Sequence, residues 1–491
     1  MQSTDVIATN STINANTDSH DKWQQTIGLG GALAIVIGSI LGIGVFLTPQ
    51  IVAQHVPNTK WFLGIWAVGG LMALAGAFVY AELGSMFPHA GGDYVFMKEA
   101  YGKPVAFLSG WICLAATFSG SIAATAVALA QYYIGPNVAF MFNQYLGMDI
   151  GNSFYTPFFT LGMIKISWMN VVAISFIVIF TMINVLGINF STIVQGFIAF
   201  TPLVVLIFAA IYAFAINNGY SMAASMNATT PAGSSSSGSV SILPLGLALL
   251  PVFFAYSGWS SAAYIGSEIK DAKRNLPISL ISGIGIIIFL YMLLNLLFIK
   301  GETMASLRAM PNFLDAAALK SFGPIGIPVF LTLVAIAIMA TINSTILTGP
   351  RIYHSMAKDG MLFKSMGKLS PKYRTPAYGL MLQGAIAIAY VLLGGFETIL
   401  NYTTMMIVIF SSITVIGLII LRRRKPAQAG EFRSPLYPLF PAIYLGMSAF
   451  LMISIGILKP LMVVRAGVII AVGLAIYYVF AHKKVARSAN T

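Results

Sequence analysis

Gly38-Ser39-Ile40-Leu41-Gly42-Ile43-Gly44 lies in the middle of an apolar run, Ile27 to Val52, that is long enough to cross a bilayer. Three glycines and a serine weaken the helix there, each interior glycine by roughly 1 kcal/mol relative to alanine. In lipid, an opened backbone must find partners inside the protein or in a water-filled cavity. Two readings follow. Small residues let a second helix approach closely, as in small-xxx-small contacts. Alternatively the helix is discontinuous, and its freed N–H and C=O groups form a binding site near the midplane.

The surrounding chain selects a membrane protein. Its 491 residues are 58% hydrophobic and only 8% charged, against about 25% charged in a soluble domain. The lone cysteine, Cys113, falls inside an apolar span, so no intramolecular disulfide can form. A net charge of +13 would suggest nucleic acid for a soluble chain. Here the basic residues cluster in a few loops and read as a topology signal, with no nucleic-acid partner.

Apolar segments of spanning length occur at about 27–54, 61–87, 103–134, 166–187, 192–216, 242–266, 278–299, 325–356, 377–395, 398–421, 436–457 and 461–481. Twelve spans place both termini on one side, and charge chooses which. With the N-terminus inside, the outer side carries only Lys60, Lys165, Lys300, Arg308, Lys320, Lys459 and Arg465 of the 27 basic residues. The positive-inside rule then puts both termini in the cytoplasm. Arg422-Arg423-Arg424-Lys425 reads as a stop-transfer anchor after the tenth span. Residues 1–26 read as a disordered cytoplasmic tail, 217–241 as a flexible, Ser/Gly-rich extracellular loop, and 482–491 as a second cytoplasmic tail.

The sixth span holds a second interruption, Pro251-Val252-Phe253-Phe254-Ala255-Tyr256-Ser257-Gly258-Trp259. Proline removes a backbone donor and Ser-Gly weakens the helix centre. The plainer reading is a kinked core helix. However, the first and sixth spans correspond if spans one to five and six to ten are two inverted halves, and paired interruptions at corresponding positions point to a transporter site.

At these residues the sequence resembles the amino acid–polyamine–organocation transporter superfamily, in its L-type amino acid transporter-like branch. The stretch 38–46 resembles the first-helix signature. Tyr80-Ala81-Glu82-Leu83-Gly84, Pro88 to Phe96 and Glu99-Ala100-Tyr101-Gly102 resemble the second-helix end and following loop. Phe254 to Trp259, with Glu268 to Asp271 and Arg274-Asn275-Leu276-Pro277, resembles the sixth helix and its exit. Arg351, Met356 to Gly360 and Thr375-Pro376 resemble the eighth-helix end and next loop. The resemblance implies an all-α, twelve-helix protein with a five-plus-five inverted-repeat, leucine-transporter-like core. Its halves would be residues 27–216 and 242–421, with 422–481 forming two helices outside it. It also implies alternating access to an amino acid held between helices one and six.

An α-amino acid is a zwitterion and needs one place for a carboxylate and one for an ammonium. A half-helix starting near Ile43-Gly44 offers free N–H groups and a positive dipole end to the carboxylate. Ser39 adds a hydroxyl. The preceding half-helix ends, near Ile37-Gly38 and Phe254-Ala255, offer carbonyls to the ammonium. Glycines at 38, 42 and 44 let a ligand approach the backbone. The expected binding set is therefore Ile37, Gly38, Ser39, Gly42, Ile43, Gly44, Phe254, Ala255, Tyr256 and Ser257. The resemblance makes Phe254 a gate over the substrate. Glu82 is expected to pair with Arg351 or Lys358 in a cytoplasmic gate. Ser257 stands where many relatives have glycine, which favours small or polar neutral substrates. No acid falls in the expected site, which disfavours cationic ones.

One feature of the family is missing. Many relatives carry a lysine in helix five, and alignment on Val194-Gln195 places Pro202 there. Thr341, Asn343, Ser344 and Thr345 offer oxygens for sodium, or bond their own helix. The expected function is secondary active transport of small neutral L-amino acids, as exchanger or symporter. The alternatives are a cationic amino acid or amine/polyamine transporter and an amino-acid sensor without transport. An intramembrane enzyme is excluded because His20, His55, His89, His354 and His482 lie outside the spans or at their ends, and no acids pair within one. The reading needs no cofactor and no protein metal centre. Its partners are the amino acid, the lipid bilayer and a coupling proton or sodium ion.

Overall fold

The computed structural model describes residues 23–137, 143, 146–147, 151–162, 164–215, 242–300, 304–309, 313–393, 396–426 and 428–488, with side chains left out at 151–152, 313–327, 396–399 and 480–488. Residues 1–22 and the loop 217–241 lie outside the described residues.

Among the described residues, ten helices are long and apolar enough to cross a membrane, and two shorter apolar helices cover Ile242–Tyr256 and Ala377–Leu393. The first apolar run is split into α1 (Leu29–Ile40) and α2 (Gly44–His55). Then come α3 (Thr59–Met86), α4 (Asp93–Tyr101), α5 (Lys103–Ile112), α6 (Ser119–Ala128), α7 (Trp168–Val185) and α8 (Ile188–Ala215). The sixth apolar segment is α9 (Ile242–Tyr256) and, after a turn, α10 (Ser261–Tyr264). The longer helices that follow are α11 (Ala272–Ile299), α12 (Phe313–Thr348), α13 (Pro350–Lys358), α14 (Ala377–Leu393), α15 (Phe396–Arg424), α16 (Leu439–Leu458) and α17 (Pro460–Ser488), with a short helix at Met304–Ala309.

Local chemistry sets several ends. The Asn58 side chain accepts from the Trp61 amide and caps α3. Ser167 and Asn170 form a capping box on α7. Burial then sorts the spans. In the apolar window of Lys103–Asn137, 83% of residues are buried inside the protein, against 11% in Pro460–Val479. The last helix is therefore peripheral. The centre is made by α1 against α8, α11 and α12, and by α2 against α9.

Short backbone bridges tie the segments beside the breaks. Ile27, just before α1, pairs with Ile269: its amide donates to the Glu268 carbonyl at 2.9 Å and its carbonyl accepts from Lys270 at 2.8 Å. Ala90 forms an antiparallel bridge with Ile265, where the Gly91 amide donates to the Tyr264 carbonyl at 3.0 Å.

Buried charges lock this end of the bundle, in pairs the sequence did not anticipate. Glu82 is fully buried, and Arg422 donates to both its oxygens at 2.6 Å. The Ser434 amide adds a bond of 2.9 Å. The expected pairing of Glu82 with Arg351 or Lys358 is thus corrected: α15 runs far enough to bring Arg422 onto the end of α3. Arg351 instead makes a two-pronged pair with Glu268, at 2.8 and 3.1 Å. The basic run after the tenth span is likewise more than an anchor. Arg424 donates to the Ala100 carbonyl and Lys425 to Glu99, which clamps α15 onto α4.

Arg422→Leu leaves Glu82 buried without its cation and should cost about 3–5 kcal/mol. Thermal unfolding in detergent should show this loss, and adding Glu82→Gln should recover part of it.

Candidate functional site

The two breaks face each other. At the first, the Leu41 amide bonds back to the Ile37 carbonyl and Gly42 to Ile40, and α2 then restarts at Gly44. At the second, the Ser257 amide and hydroxyl both bond the Phe254 carbonyl, at 3.0 and 2.6 Å. Gly258 turns the chain at φ +102°, a conformation that L side chains rarely adopt. A Cβ on Gly44 would sit 2.3 Å from the Ala255 Cα, and one on Gly258 would sit 2.6 Å from the Ser39 carbonyl oxygen. The breaks therefore meet backbone to backbone. The sequence posed close packing and discontinuity as alternatives, and here both hold at once.

Tyr291 of α11 stands behind this contact. Its hydroxyl donates to the Ile40 carbonyl at 2.6 Å and lies 3.2 Å from that of Ala255. It thus bridges the carbonyl ends of α1 and α9. Nothing in its sequence neighbourhood singled it out.

A cavity of about 80 Å3 opens between the breaks, α6 and α12. That is roughly half the size of a ~150 Å3 cavity that accepts benzene. Of the expected residues, Ser39, Gly42, Ile43, Gly44, Phe254, Ala255 and Ser257 line it. Ile37, Gly38 and Tyr256 do not. The Ile37 carbonyl is used by Leu41, and that of Gly38 accepts from the Thr341 hydroxyl at 2.8 Å. The Tyr256 ring turns away from the cavity, onto Trp66 and Tyr291.

Two walls of hydroxyl residues stand outside the expected binding set, although Thr341 and Thr345 are among the oxygens expected for sodium. Thr117, Ser121 and Thr125 line the cavity from the helix around α6, and Thr341, Thr345 and Thr348 from α12. Both sets recur at helical spacing within apolar runs, so each lies on one face. That stripe was a legible signal. The α12 hydroxyls are already in use. Thr345 and Thr348 bond carbonyls one turn back, and Thr341 bonds α1. Ser344 donates to the Ile35 carbonyl at 2.9 Å and shares a 2.5 Å hydrogen bond with Ser39. Asn343 donates to Gln195 at 2.7 Å. The oxygens expected as sodium ligands are therefore engaged with protein groups.

Gln195 also reaches the Ala34 carbonyl at 3.3 Å. This amide, rather than anything at Pro202, is the polar tie from α8 to α1. It continues through Asn343 to Asn184 and Ser191, each step 2.7–2.8 Å.

The site's chemistry follows from these contacts. The amides of Gly44 and Val45 have no acceptor among the described residues, and Gly44 lines the cavity, so the start of α2 carries free donors and a positive dipole end beside it. On the other side Ile40, Phe254 and Ala255, at the ends of α1 and α9, also line it, with their carbonyls accepting from Tyr291 or Ser257. No carboxylate lines the cavity.

Gly44→Ala and Gly258→Ala should each lower thermal stability by about 1–3 kcal/mol through forced overpacking. Gly196→Ala, whose Cβ would meet nothing within 4 Å, should leave the melting temperature unchanged or higher.

The comparisons fit this geometry. The chain is 27% identical to the serine/threonine exchanger SteT of Bacillus subtilis (strain 168), over 93% of this chain and 96% of that protein. It is 27% identical to the b(0,+)-type amino acid transporter 1 of Homo sapiens, over 94% of this chain and 89% of that protein. It is 26% identical to the Asc-type amino acid transporter 1 of Homo sapiens, over 93% and 82%. Residues 27–481 match the amino acid permease model, nearly the whole described chain. With ten helices able to cross a bilayer, this multi-pass integral membrane protein belongs to the amino acid permease family.

Proposed function

We propose that the chain is a secondary active transporter of small neutral L-amino acids, working by alternating access as an exchanger or symporter. The observation that carries this is the cavity between two opposed helix breaks, about 80 Å3, rich in hydroxyls and without a carboxylate on its wall. The substrate carboxylate meets the free amides at Gly44 and Val45, and its ammonium meets carbonyls of the α1 and α9 ends. A cationic side chain would enter this cavity without a counter-charge, which is costly in low dielectric. The relatives' names, a serine/threonine exchanger among them, support amino acids as the substrate class and put serine on the test panel.

The twelve-span, five-plus-five arrangement with both termini cytoplasmic is part of this proposal. Its support is that the breaks fall in the first and sixth apolar segments. Phe254, on the cavity wall, is the gate on one side. The Arg351–Glu268 pair, beside the Ile27–Ile269 bridge, closes the other. Glu82 acts there through Arg422.

The test is counterflow of labelled alanine, serine and leucine into proteoliposomes, empty or preloaded with unlabelled amino acid. Alanine and serine should enter preloaded vesicles, and leucine should be poor. Binding without any flux would favour a sensor, and uptake confined to lysine or amines would overturn the neutral-substrate reading. Phe254→Ala should slow turnover by about tenfold, ~1.4 kcal/mol of barrier, with a smaller change in apparent affinity.

A further inference from the structure

Three acids are almost wholly buried among the described residues: Glu82, Asp93 and Glu268. Two of them have a two-pronged arginine. Asp93, at the start of α4, has no cation within ion-pair distance among the described residues. Instead it is held by three hydroxyls from three elements. Tyr80 of α3 donates to Oδ1, Thr414 of α15 donates to Oδ1 at 2.8 Å, and Tyr264 of α10 donates to Oδ2 at 2.5 Å.

Tyr264 also lines the cavity. Asp93 is therefore one hydroxyl away from the proposed substrate, across a short, charge-assisted hydrogen bond. Other titratable groups near it are Cys113 after α5 and Tyr444 of α16, and neither is basic. The neighbouring cations are engaged elsewhere or face outward. On α4, Lys98 is held by Asp359 and Glu99 by Lys425. On α13, Arg351 is held by Glu268, His354 packs on Trp23 and Lys358 is exposed. On α15, Arg422 is held by Glu82 and Arg424 by the Ala100 carbonyl, and Arg423 is exposed. Lys103 of α5 is exposed.

Burial pushes the Asp93 carboxyl above the ordinary range, and the bonds from Tyr264, Tyr80 and Thr414 pull it back. Of these donors, Tyr264 sits on the short helix next to the second break. Withdrawing it removes one bond to the charged form and favours the protonated one. Proton uptake and movement of α10 are then linked in both directions.

We propose that Asp93 is the proton-carrying group of this protein, loaded from the cavity through the Tyr264 hydroxyl. The inference rests on the transport reading above. A proton arriving from the cavity bonds Tyr264 Oη while that hydroxyl's own proton crosses to Asp93 Oδ2. Tyrosine is neutral before and after, and the carboxylate becomes a carboxylic acid. Release on the far side reverses the charge change.

The experiment uses the full chain in proteoliposomes with labelled serine. Counterflow at equal pH reports transport, and accumulation into empty vesicles under an inward proton gradient reports coupling. Wild type should do both. Asp93→Asn should keep counterflow and lose ~10-fold or more of the gradient-driven accumulation, within the range of a typical coupling free energy. Thr414→Val removes a donor to the charged form, so the pH midpoint of accumulation should rise by about one unit. Normal counterflow with no gradient response in wild type overturns the Asp93 proposal alone, whereas absent counterflow overturns the transport reading. Accumulation surviving in Asp93→Asn also overturns the proposal, as does loss of both activities together. If Asp93→Asn does not fold, an unmoved midpoint in Thr414→Val decides against it.

Discussion

The contact on which everything else depends is Gly44 against Ala255, where the restart of one helix meets the end of another without a side chain between them. A broken helix in a membrane leaves amides and carbonyls that lipid cannot satisfy. Bringing two breaks together lets each supply the other's environment. The Tyr291 hydroxyl closes the arrangement by reaching the carbonyls of both Ile40 and Ala255. The cavity is what remains once those partners are assigned. At its edge the amides at the start of α2 keep no acceptor among the described residues.

Around this centre the polar ties divide by type. Neutral amides and hydroxyls hold the half-helix α1: Gln195 from α8, itself bonded by Asn343 of α12, and Thr341 and Ser344 from α12. Ion pairs sit at the helix ends, where Arg422 meets Glu82 and Arg351 meets Glu268. The division follows from cost. A neutral hydrogen bond can be broken and remade as a helix shifts, whereas separating a buried charge pair leaves an uncompensated ion. Asp93 stands between the classes as a charge-bearing group held only by neutral donors, next to the segment that follows the second break.

Much of this was legible in the chain. Both interruptions fall where the sequence put them, because helix breaking is local chemistry, and seven of the ten residues named from the sequence line the cavity between them. The Thr117-Ser121-Thr125 and Thr341-Thr345-Thr348 stripes were readable from spacing but became a wall only when two helices faced one cavity. Glu82 was read as a gate member paired with Arg351 or Lys358, and the pairing failed because proximity in a motif list is not proximity in space. Arg422 lies 340 residues away from Glu82 along the chain, and no local pattern reports a pair so distant.

By itself, then, the sequence determined where the chain is apolar, where its helices break and which residues have no Cβ to spare, since these depend on composition and backbone propensity over a few residues. The tertiary structure alone decided which break faces which, which carbonyls are occupied, that Tyr256 turns away while Tyr264 lines the cavity, and which arginine neutralises which buried acid. Those outcomes are set by the packing of elements hundreds of residues apart. In a low-dielectric interior each buried donor, acceptor and charge must be matched by whatever the fold brings within about 3 Å of it.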